Sequence, residues 1–471
     1  MNKFTKIVAT ISDQRCSKEF IQQLFDNGMN VVRLNSAHLN YDGIKMIVDN
    51  VRAVSDRIAI LIDTKGPEIR TTTNINDKPI FFTTGMKVDF SGDASTPTSA
   101  QLITLNYADI AKDVNPGDHF LIDDGELDFV IDEVNDGVIS TTVLNDGKLG
   151  SRKTVNIPGA SINLPAISER DRTNISIAVE LGVDFIAHSF VRSAQDVAEV
   201  QALLDTLDSD IKIISKIENQ KGVDNFDEIL EASYGIMVAR GDLGIEIPAE
   251  RIPCIQNMMI KKCIEAHKPV IVATQMLHSM INNPRPTRAE VSDIANAVYQ
   301  RADAIMLSGE TANGRYPVEA VATMARVAIE MEKSLNANNV EVPPLADEHV
   351  TSFLARQAVV SAHKIGTKAI LTDSFHGRTA RYISSFRATI PCFAICHKLN
   401  VTRWLSLSYG IKAYYNKDYR TGHHYPTESL KHFVETNLLE NDDRIAYLGA
   451  LNGTGSTFLE INNVAAIIAN S

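Results

Sequence analysis

The sequence predicts an α/β protein: a (β/α)8 TIM barrel with an inserted β-barrel-like lid domain and a C-terminal doubly wound α/β domain. Three observations predict it. Eight compact Val/Ile/Ala-rich segments without clean alternation, as parallel strands covered on both faces require, are interleaved with amphipathic helical stretches. One β-rich tract without a helix-length periodic run interrupts that rhythm after the third segment. A new α/β pattern then begins after the polar, proline-containing stretch Asn336 to Glu348.

The eight barrel strands are expected at Lys6–Ile11, Met29–Leu34, Ile58–Asp63, Asp184–Phe190, Ile211–Ile217, Tyr234–Arg240, Val270–Thr274 and Ala304–Leu307. Helices are expected at Ser17–Asn27, Ala194–Leu207 and Ala320–Ser334, among others. The interrupting tract, Thr71 to Pro165, is rich in Val and Thr and carries turn signals at Asn115-Pro116-Gly117-Asp118, Asp123-Asp124-Gly125 and Asn145-Asp146-Gly147. An insertion there overhangs the carboxyl ends of the barrel strands, where barrel chemistry collects, so it is expected to act as a lid. In the last part, strands are expected at Lys368–Leu371, Ile390–Ile395, Ile411–Tyr415, Arg444–Leu448 and Thr457–Ile461. The resulting division is 1–66 and 167–345 for the barrel, 67–166 for the lid and 346–471 for the last domain.

A chain of 471 residues exceeds what one core organises, in keeping with that division. The formal charge of -12 argues against a protein that wraps a nucleic-acid backbone, but leaves room for a local cationic pocket. The five cysteines, Cys16, Cys254, Cys263, Cys392 and Cys396, form no repeated paired spacing, so inert thiols are expected rather than a metal cluster. The first residues enter a strand pattern directly, and no apolar run reaches membrane length. The expected location is the cytoplasm, with neither nucleic acid nor membrane as a partner.

The chemistry is expected at the strand ends. Lys216 and Glu218, two apart on the fifth strand, emerge on one side, and the sixth strand ends in Ala239-Arg-Gly-Asp-Leu-Gly-Ile-Glu246. Glu218 and Asp242 are a carboxylate pair suited to a hard cation such as Mg2+, and Lys216 a positive charge for a phosphoryl or enolate oxygen. The alternative is a solvated strand-end ion pair. Gly241 and Gly244 let the backbone approach a ligand. At the second and third strand ends, Arg33 and Arg70 suit phosphate oxygens, and Asn35, Asp63 and Thr64 offer oxygens to a second, monovalent cation. Thr274, where the seventh strand becomes a loop, is placed to contact substrate or a water. Ser308-Gly309-Glu310-Thr311 after the eighth strand reads as a pocket wall or a helix start.

Six ordered motifs then carry a resemblance: Asp63-Thr-Lys-Gly-Pro-Glu-Ile-Arg70, Ile214-Ser-Lys-Ile-Glu-Asn219, Ala239-Arg-Gly-Asp-Leu-Gly-Ile-Glu246, Ala273-Thr-Gln-Met-Leu277, Pro286-Thr-Arg-Ala-Glu290 and Met306-Leu-Ser-Gly-Glu-Thr-Ala312. In these the chain resembles the pyruvate kinase family over nearly its whole length. The resemblance implies transfer of a phosphoryl group from phosphoenolpyruvate to ADP, giving pyruvate and ATP in the last step of glycolysis, by a homotetramer without a substantial N-terminal helical extension. It implies Mg2+ or Mn2+ on Glu218 and Asp242, and Arg33 and Lys216 on the transferring phosphoryl group. It also implies Gly241 and Asp242 at the substrate carboxylate, Thr274 near the methylene carbon, Arg70 at the nucleotide phosphates, and K+ on Asn35, Asp63 and Thr64. The final proton is assigned to water near Thr274 as readily as to a side chain. Another barrel enzyme that handles phosphoenolpyruvate through a phosphohistidine domain, or a sensor without catalysis, are the competing readings. No phosphohistidine domain is evident, and the intact set Arg33, Lys216, Glu218, Asp242 and Thr274 argues against a sensor.

The chain also departs from the family pattern. The serine expected two places after Asn35 is replaced by Ala37, with Ser36 one place earlier, whereas Glu68 stands where K+-requiring relatives carry glutamate. His188 replaces a small residue and His278 a common glutamate; both are expected to be structural. In the last domain, Ser374-Phe-His-Gly-Arg378-Thr379 resembles a phosphate-holding effector loop with altered spacing, and Asn452 to Thr457 a second glycine-rich loop. Ser374, Arg378 and Thr379 are candidate contacts for a sugar-phosphate effector, or the remnant of such a site.

Overall fold

The computed structural model describes residues 3–37, 39–160, 162–337, 342–417, 427–450 and 457–469; the glycine-rich stretch 452–456 and His38 lie outside them. Eight parallel strands close into a barrel: β1 (Lys6–Thr10), β2 (Val31–Asn35), β3 (Ala59–Asp63), β12 (Phe185–His188), β13 (Lys212–Ile217), β14 (Gly235–Ala239), β15 (Val270–Ala273) and β16 (Ala304–Leu307). Between β3 and β12 the insertion supplies β4 (Ile80–Phe82), β5 (Lys87–Ser91), β6 (Leu102–Thr104), β7 (His119–Ile122), β8 (Leu127–Asn135), β9 (Val138–Val143), β10 (Gly147–Leu149) and β11 (Val155–Asn156). The last part contributes β17 (Ala369–Ser374), β18 (Cys392–Cys396), β19 (Ile411–Tyr415), β20 (Arg444–Ala450) and β21 (Thr457–Asn463).

Closure follows from register. Lys6 pairs with Ala304 and Val8 with Val31, so the first strand is shared by both flanks and the barrel has no edge. Alternate residues serve two cores. Val8, Leu61, Phe185 and Met237 fill the barrel, whereas Val32, Ile62, Ile186 and Val238 pack beneath the helices. The helices start where their sequences provide caps. Ser168 and Asp171 form a capping box on Glu169–Glu180, and Thr287 with Glu290 forms another on Arg288–Tyr299.

The insertion closes around aromatic residues. Phe90 stacks on Phe120 with ring centroids 4.5 Å apart, and Phe129 meets Phe82 and Phe90 edge-on. Its sheets run β11-β7-β8-β9-β5-β6 and β10-β4. The last domain runs β19-β18-β17-β20-β21, parallel except for the antiparallel β20–β21 pair. It is tied to the foot of the barrel by a buried ion pair: Arg387 Nη2 lies 2.7 Å from Asp303 Oδ2, and Asp303 also accepts from the amides of Tyr409 and Val270. Cys16, Cys263, Cys392 and Cys396 are buried free thiols and Cys254 is exposed.

Four barrel strands end earlier than their composition suggests: β1 stops at Thr10 and β14 at Ala239, each one residue early, and two more stop before left-handed backbone. Expected to reach Thr274, β15 stops at Ala273 because Thr274 (φ 72°) and Gln275 (φ 57°) are left-handed. Similarly, β12 stops at His188, two residues before left-handed Phe190 (φ 57°). Left-handed backbone at a β-branched residue is strained and persists only where surrounding structure enforces it.

Candidate active site

The charged side chains that the strand pattern sends toward the barrel mouth meet there. Arg33, at the end of β2, donates through Nε and Nη2 to the two oxygens of Asp63 at 3.0 and 2.5 Å, and through Nη1 to Thr10 at 3.1 Å. Lys216 Nζ lies 3.4 Å from Asp63 Oδ2, 2.8 Å from Glu218 Oε1 and 2.8 Å from Ser189 Oγ. The other Glu218 oxygen accepts from the Phe190 amide at 2.7 Å, which explains the left-handed turn at that residue. All four charged groups are largely withdrawn from solvent.

Burial sets their electrostatics. It pushes the Asp63 carboxyl up, but Arg33 and Lys216 overcome this and hold it below the ordinary range. Lys216 is pushed down by burial, yet Glu218 and Asp63 raise it well above the usual lysine value, so it is a fixed cation at neutral pH. Glu218 is pushed up, first by burial and then by Asp242, against the pull of Lys216. A divalent cation shared by Glu218 and Asp242 would relieve that repulsion. Among the described residues no group of three or more His, Cys, Asp or Glu side chains is arranged to hold a metal. Glu218 and Asp242 would suit a hard ion that takes its remaining oxygens from substrate and water.

The next element is built around Thr274. Its hydroxyl donates to the Ala273 carbonyl at 2.6 Å and accepts from the Gly241 amide at 2.7 Å, in the first turn of the helix Arg240–Glu246. Arg240, to which the sequence reading gave no role, grips Asp293 with Nη1 and Nη2, each at 2.7 Å, and the Thr274 carbonyl with Nη2 at 2.7 Å. It holds the strained turn in place. Ser189 was missed as well; it joins Lys216 to the Thr64 carbonyl, which accepts its hydroxyl at 2.7 Å. The arginine in a Gly-Asp motif carried a usable signal, whereas Ser189 carried none.

The monovalent-cation candidates are close in sequence but already engaged. Asn35 Oδ1 accepts from the Ala37 amide at 3.1 Å, Asp63 holds Arg33, and the Thr64 hydroxyl accepts from the Ser189 amide at 3.0 Å. Among the described residues Ser36 Oγ, which is buried, has no hydrogen-bond partner, one place from where the family serine stands. His188 is fully buried with Nδ1 3.5 Å from Thr64 Oγ1, and burial lowers it to about 4, so the ring is neutral. His278 is exposed in the short helix His278–Ile281.

Above the barrel mouth a cleft of about 180 Å³ lies between the insertion and the barrel, lined among others by Glu68, Asp124, Asn156, Asn219, Asp242 and Glu246. Burial, then Asp242 and Asp123, push Asp124 up. Arg70 stands at the insertion's root with Nε 2.8 Å from Glu68 Oε2 and Nη1 2.9 Å from the Arg152 carbonyl. In the last domain, Ser374 is buried at the end of β17, while Arg378 lines a groove against the barrel with Lys268 and Arg381. Thr379 follows Arg378 in the helix Arg378–Ser385.

Comparison with known proteins agrees with this geometry. Residues 2–321 match the family described as pyruvate kinase, barrel domain, and residues 353–461 that described as pyruvate kinase, alpha/beta domain. The chain is 45% identical to a pyruvate kinase of Borreliella burgdorferi, covering 98% of both. It is 43% identical to a pyruvate kinase of Bacillus licheniformis, covering 97% of this chain and 79% of the relative. The crystal structure of a pyruvate kinase from Cryptosporidium parvum superposes with a TM-score of 0.90 at 37% identity, covering 98% of this chain and 96% of that one.

Proposed function

The chain belongs to the pyruvate kinase family, and from that premise we propose how its residues transfer the phosphoryl group of phosphoenolpyruvate to ADP to give pyruvate and ATP. The observation that carries the assignment is the convergence of Arg33 and Lys216 on Asp63, with Glu218 beside Lys216, at the mouth of a closed barrel. Two permanent cations held against one carboxylate are placed to neutralise charge on a phosphoryl group in flight. Arg33 is held in plane by Asp63, so its remaining edge presents donors in a fixed direction. Lys216 is protonated and hydrogen-bonded to carboxylate and hydroxyl, which suits it to stabilise an enolate oxygen and not to remove a proton.

Glu218 and Asp242 would hold Mg2+ or Mn2+, which when bound would supply Lewis-acid charge to the phosphoryl and enolate oxygens. K+ on Asn35, Asp63 and Thr64 would add a fixed charge beside Arg33; the orphaned Ser36 oxygen supports an ion or a water in that loop. The substrate carboxylate is assigned to the first-turn amides of the helix at Gly241 and Asp242. Gly241 becomes available when Thr274 turns away, and that turn also frees the Thr274 hydroxyl from the Ala273 carbonyl. Thr274 thereby couples carboxylate binding to the water or hydroxyl that protonates the methylene carbon. Arg70 is assigned to the nucleotide phosphates, supported by its place beside Glu68 at the cleft rim.

The insertion serves as the lid, closing the cleft and excluding water from the enolate. Among the described residues no helix is long and apolar enough to cross a membrane. A homotetramer working in the cytoplasm completes the reading, on the strength of the family resemblance. The test is pyruvate and ATP formation from phosphoenolpyruvate and ADP, with and without divalent metal and with and without K+. Stoichiometric, metal-dependent formation of both products is expected, stimulated by K+. A folded chain that binds phosphoenolpyruvate and forms neither product would overturn the assignment.

A further inference from the structure

The insertion is joined to the barrel by two crossings, and they are built differently. On the outgoing crossing the barrel's hold ends at Lys65, whose amide donates to Asp171 Oδ1 at 2.7 Å. The insertion's hold begins at Glu68, whose carbonyl accepts from Asn106 Nδ2 at 3.1 Å. Only Gly66, left-handed at φ 72°, and Pro67 lie between.

On the returning crossing the two holds overlap. Arg192 of the barrel donates to the Ile162 carbonyl through Nη1 at 3.0 Å and to the Leu164 carbonyl through Nη2 at 2.8 Å. The residue between them, Asn163, belongs to the insertion: its amide donates to Asp113 Oδ2 at 2.8 Å, and its carbonyl accepts from the Tyr107 hydroxyl at 3.4 Å. Arg192 is itself immobilised, with Asp196 accepting from its amide at 2.8 Å, from Nε at 3.1 Å and from Nη2 at 3.0 Å. The bidentate pair fixes the plane of the guanidinium, so its outer edge is aimed at two carbonyls. Two residues before Arg192, the Phe190 amide holds Glu218, so the clasp and the support of a catalytic carboxylate share one loop.

We propose that Arg192 is a positioning residue for phosphoryl transfer, setting the angle of the inserted domain over the cleft by clasping Ile162 and Leu164. On the outgoing side the turn is made at Gly66 and Pro67, spanned only by the Lys65–Glu68 ion pair at 3.4 Å, while on the returning side the domain turns only as far as the Arg192 clasp yields. Asp124 and Asn156 ride on the insertion, so its angle sets how closely they approach Asp242. This inference rests on the reading of the insertion as a lid.

The test measures the lid directly. Paired spin labels at Lys148→Cys on the insertion and Lys261→Cys on the barrel, in a Cys254→Ser background diluted with unlabelled chain, report the distance distribution with and without phosphoenolpyruvate and Mg2+. Arg192→Lys keeps the charge beside Asp196 but loses the fork, and Asp113→Ala releases Asn163 from the other side. Both are expected to broaden the resting distribution and raise the KM for ADP about tenfold, with a smaller change in kcat. A folded Arg192→Lys chain with the parental distribution and KM overturns the clasp. A parental distribution that ligand does not change overturns the lid itself, which the variants alone would not reveal.

Discussion

Arg240 and Asp293 meet in a two-pronged pair, both guanidinium nitrogens at 2.7 Å from the carboxylate, although neither was assigned a role from sequence. The pair ties the helix Arg240–Glu246 to the helix Arg288–Tyr299, and one prong also holds the Thr274 carbonyl. Arg240→Lys keeps a charge but not the planar fork. We expect kcat to fall about 10- to 100-fold through misplacement of Thr274 and Gly241, with the melting temperature little changed. Steady-state kinetics with a thermal melt checks this; an unchanged kcat would remove Arg240 from the positioning of the turn.

Lys216→Met removes a buried cation that three side chains share. Turnover should fall by about a thousandfold or more. The loss leaves Asp63 and Glu218 buried with less compensation, so circular dichroism must accompany the assay. A folded variant with near-parental turnover would refute the role given to Lys216.

His188 supplies a pH signature. Burial holds it at about 4 in the folded chain, against 6.5 for the free side chain, with Asp196, Asp171 and Lys216 as its charged neighbours. Between those values the unfolded chain binds more protons, so the contribution of His188 to stability is present above pH 6.5 and is lost as pH falls toward 4. It amounts to about 3 kcal/mol at most. Histidine C2 hydrogen exchange should report the depressed value at this residue, and His188→Gln should flatten the acid side of the stability profile. An ordinary histidine value would contradict the buried, neutral ring.

At the joint between barrel and last domain, Arg387→Met would leave Asp303 buried with only the Val270 and Tyr409 amides and a long contact to the Ser384 hydroxyl as donors among the described residues. A loss of about 3–5 kcal/mol is expected. Calorimetry should resolve the last domain as a separate, earlier transition, and a single parental transition would deny the pair that role.

The eight barrel strands and the β-rich insertion were legible because apolar runs of strand length and turn-forming clusters are local properties. Alternation along one strand likewise puts Lys216 and Glu218 on one side, whereas Asp242 lies beyond its strand in the helix Arg240–Glu246, where no alternation applies. What stayed hidden depends on distant partners. Nothing local announces that Ser189 bridges Lys216 and Thr64, or that Arg192 reaches back to Ile162. The left-handed backbone at Thr274 is likewise imposed by Arg240 and Gly241 against the preference of a β-branched residue, so composition extended β15 one residue too far.

Because β1 closes the barrel only by pairing with β16, the sheet cannot be completed until residue 307 has been synthesised. The insertion has no such wait, since its last strand ends at Asn156 and its aromatic core lies wholly between Phe82 and Phe129. During translation the lid can therefore condense while more than half of the barrel is still missing, leaving the outer edges of β1 and β3 without β16 and β12. In the growing chain the accessory domain is finished before the catalytic one, and the exposed strands β1 to β3 are the segments that a ribosome-associated chaperone would have to shield.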